Sequence, residues 1–124
     1  MDIFYAREQT TRRYTATIKD ELGNALAGTS LTTMTLTLYH LKDGAIINSR
    51  NAQDILGAGS GANDVTIDAN GLLTWTLRPA DNPIADALLD FEDHVALIIF
   101  TWSAGAKKGT HEFMIRVQNA TKVT

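Results

Sequence analysis

Apolar side chains recur at every second residue through most of this chain, and short clusters of turn-forming residues separate the runs. A period of two places alternate side chains on opposite faces of an extended strand, which excludes a helical fold. Residues 13–19 (RYTATIK) put Tyr14, Ala16 and Ile18 on one face and Arg13, Thr15, Thr17 and Lys19 on the other. Residues 33–40 put Met34, Leu36 and Leu38 opposite Thr33, Thr35, Thr37 and Tyr39. Branching at Cβ suits threonine to the pleat.

Turn chemistry divides the runs. Residues 20–24 (DELGN), Asp43-Gly44 and Asn70-Gly71 are turn signals, and Asn70-Gly71 is the strongest. Asp43-Gly44 closes a hairpin into residues 45–47, and Val65-Thr66-Ile67 is a short strand. Residues 72–77 carry Leu73, Trp75 and Leu77 on one face, with Trp75 as core. Residues 95–102 and 110–117 form a last hairpin across 103–109, and residues 51–64 are the loose stretch. Pro79 and Pro83 break strand structure ahead of one short helical segment at 84–89. About seven strands without helical crossovers predict an all-β, antiparallel sandwich of immunoglobulin-like type, favoured over a closed barrel. Residues 1–11 are expected to be an N-terminal arm, 12–118 the sandwich domain and 119–124 a tail.

Composition narrows the class. A chain of 124 residues suits one domain, and 44% apolar with 20% charged residues is a globular balance. A net charge of −3 without a basic stripe argues against nucleic acid as a partner. The absence of cysteine excludes disulfides and thiolate-bound zinc. No signal peptide is read at the start, and the longest apolar run, residues 95–100, is far too short to cross a membrane as a helix.

The last hairpin carries the functional expectation. With its turn centred near Ala106, Val95, Leu97 and Ile99 face Val117, Ile115 and Phe113 as core. The opposite face then presents Ile98, Phe100 and Trp102 beside Met114 and Arg116, a grouping that a solvated face does not need. Covering by the 51–64 loop, the 81–90 segment or the N-terminal arm is the competing reading. Tyr5, Arg7 and Arg12 of the N-terminal stretch are added as interface candidates. A one-residue slip in register would exchange the two faces.

Reactive chemistry is sparse. His40, His94 and His111 lack metal-ligand spacing on one element, and no nucleophile elbow surrounds the serines. Asp81, Asp86, Asp90, Glu92 and Asp93 form an acidic stretch without the spacing of a regular calcium loop. Residues 57–61 (GAGSG) precede a strand, not the helix that a phosphate loop requires. No catalytic residue, cofactor or metal is expected.

Several segments together resemble a known family: Ile18-Lys19-Asp20, residues 23–28 (GNALAG), the T-x-T-L-T-L strand at 33–38, the D-G turn, N-G-x-x-T-W-T-L at 70–77, and G-x-H-E-F-x-I-x-V at 109–117. The pattern is similar to immunoglobulin-like structural domains of bacteriophage virions, of the kind at the N-terminus of baseplate upper proteins. The resemblance covers roughly residues 12–118, and its motifs are turn and core residues that carry a fold and no site. It implies a non-enzymatic virion component, made in the host cytoplasm, that binds capsid or tail subunits and forms homo-oligomers. With no receptor-binding or coiled-coil segment after Val117, capsid decoration or a head–tail connector role is expected. The alternative is a carbohydrate- or cell-surface-binding sandwich module, for which an aromatic content of 7% offers little stacking surface.

Overall fold

The computed structural model describes residues 2–56, 63–84 and 90–119. Among the described residues, eight strands form two sheets. They are β1 (Asp2–Arg7), β2 (Arg12–Thr17), β3 (Leu31–His40), β4 (Gln53–Asp54), β5 (Val65–Ile67), β6 (Leu72–Leu77), β7 (Phe91–Trp102) and β8 (Lys107–Gln118). One sheet has the order β1-β8-β7-β3-β4 and the other β2-β6-β5. Short 3-10 turns at Gly28–Ser30 and Pro79–Asp81 precede β3 and follow β6. The helical segment expected at 84–89 falls almost wholly outside the described residues.

The apolar faces read from the alternation meet between the sheets. Met34, Leu36 and Leu38 of β3, and Leu73, Trp75 and Leu77 of β6, are fully buried. Phe113 sits at the centre of this layer. Its ring stacks on Tyr14 at a centroid distance of 3.8 Å and meets Trp75 edge-on at 6.2 Å, so one side chain ties the two sheets together. Burying a side chain of this size contributes about 1.5–3 kcal/mol. The Asn70-Gly71 turn forms as read. Gly71 has φ +77°, and a Cβ there would lie 2.9 Å from the Leu26 carbonyl oxygen, so only glycine fits.

Residues 2–7, expected to be an arm, form strand β1. It pairs parallel with β8, Asp2 opposite Phe113 and Arg7 opposite Gln118. The sheet is therefore mixed, since every other pairing is antiparallel. Residues 45–47 contribute one isolated bridge, Tyr39 to Ile46, and the paired segment lies further on at β4.

The last hairpin is three residues out of step with the expected register. Val95 lies opposite Met114, not Val117, and Trp102 pairs with Lys107. The cause is the turn. Ser103, Ala104 and Gly105 take φ of 54°, 56° and 87°, and this left-handed run closes a loop of only four residues. An odd shift reverses the faces of β7 relative to β8. Ile98, Phe100 and Trp102 therefore belong to the core with Phe113, Ile115 and Val117. Gly109 accommodates this arrangement, because a Cβ there would lie 2.7 Å from the Phe100 ring.

Candidate functional site

The outward face of the five-stranded sheet follows from this register. It carries Ile3, Tyr5 and Arg7 of β1, Met114 and Arg116 of β8, Phe91, Val95, Leu97 and Ile99 of β7, and Tyr39 of β3. Ile3, Met114, Val95 and Tyr39 share one register row across four strands, in which Val95 is buried at 1% exposure. Ile46 joins it by pairing with Tyr39. Seven large hydrophobic side chains are exposed among the described residues, and four of them, Ile3, Tyr5, Ile46 and Phe91, stand on this face. A bidentate ion pair crosses the patch, with Arg116 donating from Nε to Asp93 Oδ1 at 2.9 Å and from a terminal nitrogen to Oδ2 at 3.1 Å. The Arg116 guanidinium also lies 4.3 Å above the Phe91 ring centre. Hydrogen bonding to Asp93 raises the Arg116 pKa, so the patch holds a fixed cation among apolar groups.

The interface candidates read from the sequence divide. Tyr5, Arg7, Met114 and Arg116 share this outward face. Ile98, Phe100 and Trp102 do not: they are 0%, 3% and 8% exposed and pack between the sheets, because of the turn-imposed register. Arg12 stands on β2 in the other sheet, its guanidinium 5.5 Å from the Phe4 ring centre. Phe91 and Ile46 went unread, and their signal, an apolar residue at a strand start or beside a turn, is weak in sequence.

The acidic stretch is dispersed by the fold. Asp81 is fully buried and paired with Arg50, Glu92 turns to two histidines, and Asp93 pairs with Arg116. Asp86 lies outside the described residues.

Arg50 is only 2% exposed and anchors a network of its own. It donates to Asp81 Oδ1 at 2.7 Å, Asp81 Oδ2 at 3.1 Å, Gln53 Oε1 at 2.7 Å, the Asn63 carbonyl at 3.0 Å and Asp64 Oδ2 at 3.0 Å. Its guanidinium lies 5.4 Å from the Trp75 ring centre. Burial alone would raise the Asp64 pKa, but hydrogen bonds from Arg78 and Arg50 hold it below the usual carboxylate range. Every charge here is matched by a protein partner. The network clamps the 47–56 and 63–64 loops to the 3-10 turn at Pro79–Asp81, and among the described residues its charged groups are turned to one another.

Two histidines expected to act separately meet across strands. His40 ends β3 and lies opposite His94 of β7. Glu92 precedes His94 by two residues and shares its face. Glu92 Oε1 lies 2.7 Å from His40 Nδ1 and 2.9 Å from His94 Nε2, and the imidazoles are edge-to-face at 4.9 Å. Burial lowers the His94 pKa, the Glu92 hydrogen bond opposes that, and His40 lowers it further. The His94 Nδ1 is sealed without a hydrogen bond of good geometry, although the Asp81 backbone lies near enough to favour the protonated ring. Among the described residues, His40, Glu92 and His94 are the group with the composition and spacing to hold a metal ion. His111 lies apart, its Nε2 2.7 Å from the Tyr14 hydroxyl.

A cleft of about 350 Å³ opens where Phe100 and Trp102 meet Lys19, Asp20, Glu21, Lys107 and Lys108. Both aromatic rings are buried at its floor. Among the described residues no helix is long and apolar enough to cross a membrane. No family model, curated protein or solved structure matches the chain.

Proposed function

We propose that this chain is a non-enzymatic structural protein of a bacteriophage virion, an immunoglobulin-like adaptor of the capsid-decoration or head–tail connector type. It works by docking the outward face of the five-stranded sheet onto neighbouring virion subunits, and homo-oligomers use the same face. The observation that carries this reading is the gathering of Ile3, Tyr5, Ile46 and Phe91 on one sheet face around the Arg116–Asp93 pair. Contiguous exposed apolar groups on a small domain mark contact surfaces, and aromatic residues, methionine and arginine are the types enriched there. Strand β1 adds a second means of contact. It is a six-residue edge strand, and the unpaired backbone groups of an edge accept a further strand. The resemblance of residues 12–118 to virion domains supplies the class of partner.

Mass spectrometry of purified particles of the phage encoding the chain tests the assignment. The chain is expected as a stoichiometric component that resists high-salt washing, as an apolar contact should. Its absence from particles would refute the virion assignment. The carbohydrate-binding alternative would have to use Tyr5 and Phe91 as its open rings, since both tryptophans, Trp75 at 0% and Trp102 at 8% exposure, are buried.

A further inference from the structure

We propose that His40, Glu92 and His94 form a binding site for a divalent transition-metal ion of the zinc class, with three protein ligands and an outer position left for water. The fold places these groups together at two levels. The β3–β7 register sets the two histidines opposite one another, and the pleat brings Glu92 to the same face two residues away. One ligand atom from each residue lies within 4.8 Å of the other two. A tetrahedral ion with bonds of about 2.0–2.1 Å needs its donors roughly 3.3–3.5 Å apart. The carboxylate oxygen now sits at 2.7 and 2.9 Å from the two nitrogens, at hydrogen-bond spacing. Seating an ion therefore requires small side-chain rotations and no backbone movement.

Donor chemistry selects the ion. Two imidazoles and one carboxylate suit zinc, cobalt or ferrous iron, whereas calcium and magnesium require oxygen donors. Access is graded in a way that fits capture. The side chains of His40 and Glu92 are 16% and 11% exposed, while His94 is fully enclosed, so an ion entering past the first two meets the third in the interior. The enclosed ring supplies an independent observation. A His94 that donates from Nε2 to Glu92 in its neutral form leaves Nδ1 bare and buried. An ion on Nε2 moves that proton to Nδ1, the buried ring atom otherwise left bare, and metal-bound histidines usually carry their proton on the other ring nitrogen. The ion would pin the end of β3 to the start of β7 on the inward side of the sheet, opposite the docking face and independent of its role.

The purified full chain, stripped with a chelator, is titrated with zinc by calorimetry and with cobalt by visible absorption. One ion per chain is expected, with the intense visible bands of low-coordinate cobalt and a rise in melting temperature with zinc. His40→Gln and Glu92→Gln should each weaken binding by about 100-fold or more, since loss of an outer-shell partner alone costs about 10–100-fold. Melting curves of the metal-free variants check folding. NMR of the wild-type chain needs no variant: zinc should shift the His40 and His94 imidazole resonances and spare His111. Absence of saturable binding by the folded wild-type chain would overturn the proposal. So would binding unchanged in both variants, or zinc shifts confined to other residues.

Discussion

Replacing Arg50 by methionine keeps most of the side-chain volume and removes the charge beside Asp81. Removing one partner of a buried ion pair costs about 3–5 kcal/mol, because the other charge stays buried without compensation. The structure places this case near the lower end. Asp81 keeps a donor on each oxygen, Asn48 Nδ2 at 2.8 Å and the Arg78 backbone N–H at 2.8 Å, and Asp64 keeps Arg78 at 2.7 Å. A loss of about 3 kcal/mol is therefore expected, a large share of the 5–15 kcal/mol typical of a domain. Urea unfolding followed by tryptophan fluorescence reads it directly, since the Trp75 ring lies 5.4 Å from the guanidinium. The midpoint should fall with an unchanged slope. Asp81→Asn in the Arg50→Met background should recover much of the loss, because the uncompensated charge is gone: the one amide oxygen accepts from the Arg78 backbone N–H, and the amide NH2 donates to Asn48 Oδ1 once the Asn48 amide turns over. Arg50→Met within about 1 kcal/mol of wild type would refute the reasoning, as would a double variant no more stable than the single.

Two further predictions follow from the register and from burial. Ile98→Ala should cost about 2–5 kcal/mol and Leu97→Ala about 1 kcal/mol or less in the same unfolding assay, and the order reverses if the hairpin pairs as the alternation alone suggests. Burial lowers the His111 pKa, so its folded form resists protonation. Its contribution to stability is present above about pH 6.5 and is lost as pH falls through the lower folded value. His111→Gln should therefore flatten the acid limb of stability against pH, and an unchanged acid limb would contradict the assignment.

Much of the fold was legible because half-buried strands announce their period. The inward sets Met34/Leu36/Leu38 and Leu73/Trp75/Leu77, and the glycine turns at Gly44 and Gly71, could be read residue by residue. The hairpin register could not, because both faces of β7 are apolar and a slip carries no visible penalty in the pattern. What decides it is left-handed backbone at Ser103 and Ala104, residue types that give no warning of it. Strand β1 was hidden for another reason. Its alternation is short, and its partner lies at the far end of the chain, so only tertiary pairing makes it a strand. The His40–Glu92–His94 group escaped notice because two of its members are on different strands. Glu92-x-His94 gives the face, but no local spacing reveals the third member.

The central claim is that the outward face of the five-stranded sheet is the working surface. Its most direct test is incorporation of an Ile3→Ser/Tyr5→Ser double variant into phage particles, measured by quantitative mass spectrometry against wild type. Both side chains are exposed, so the variant should melt close to wild type yet fall at least about tenfold in particles, the loss expected from roughly 1.4 kcal/mol of contact energy. A stably folded variant present at the wild-type level would contradict the account.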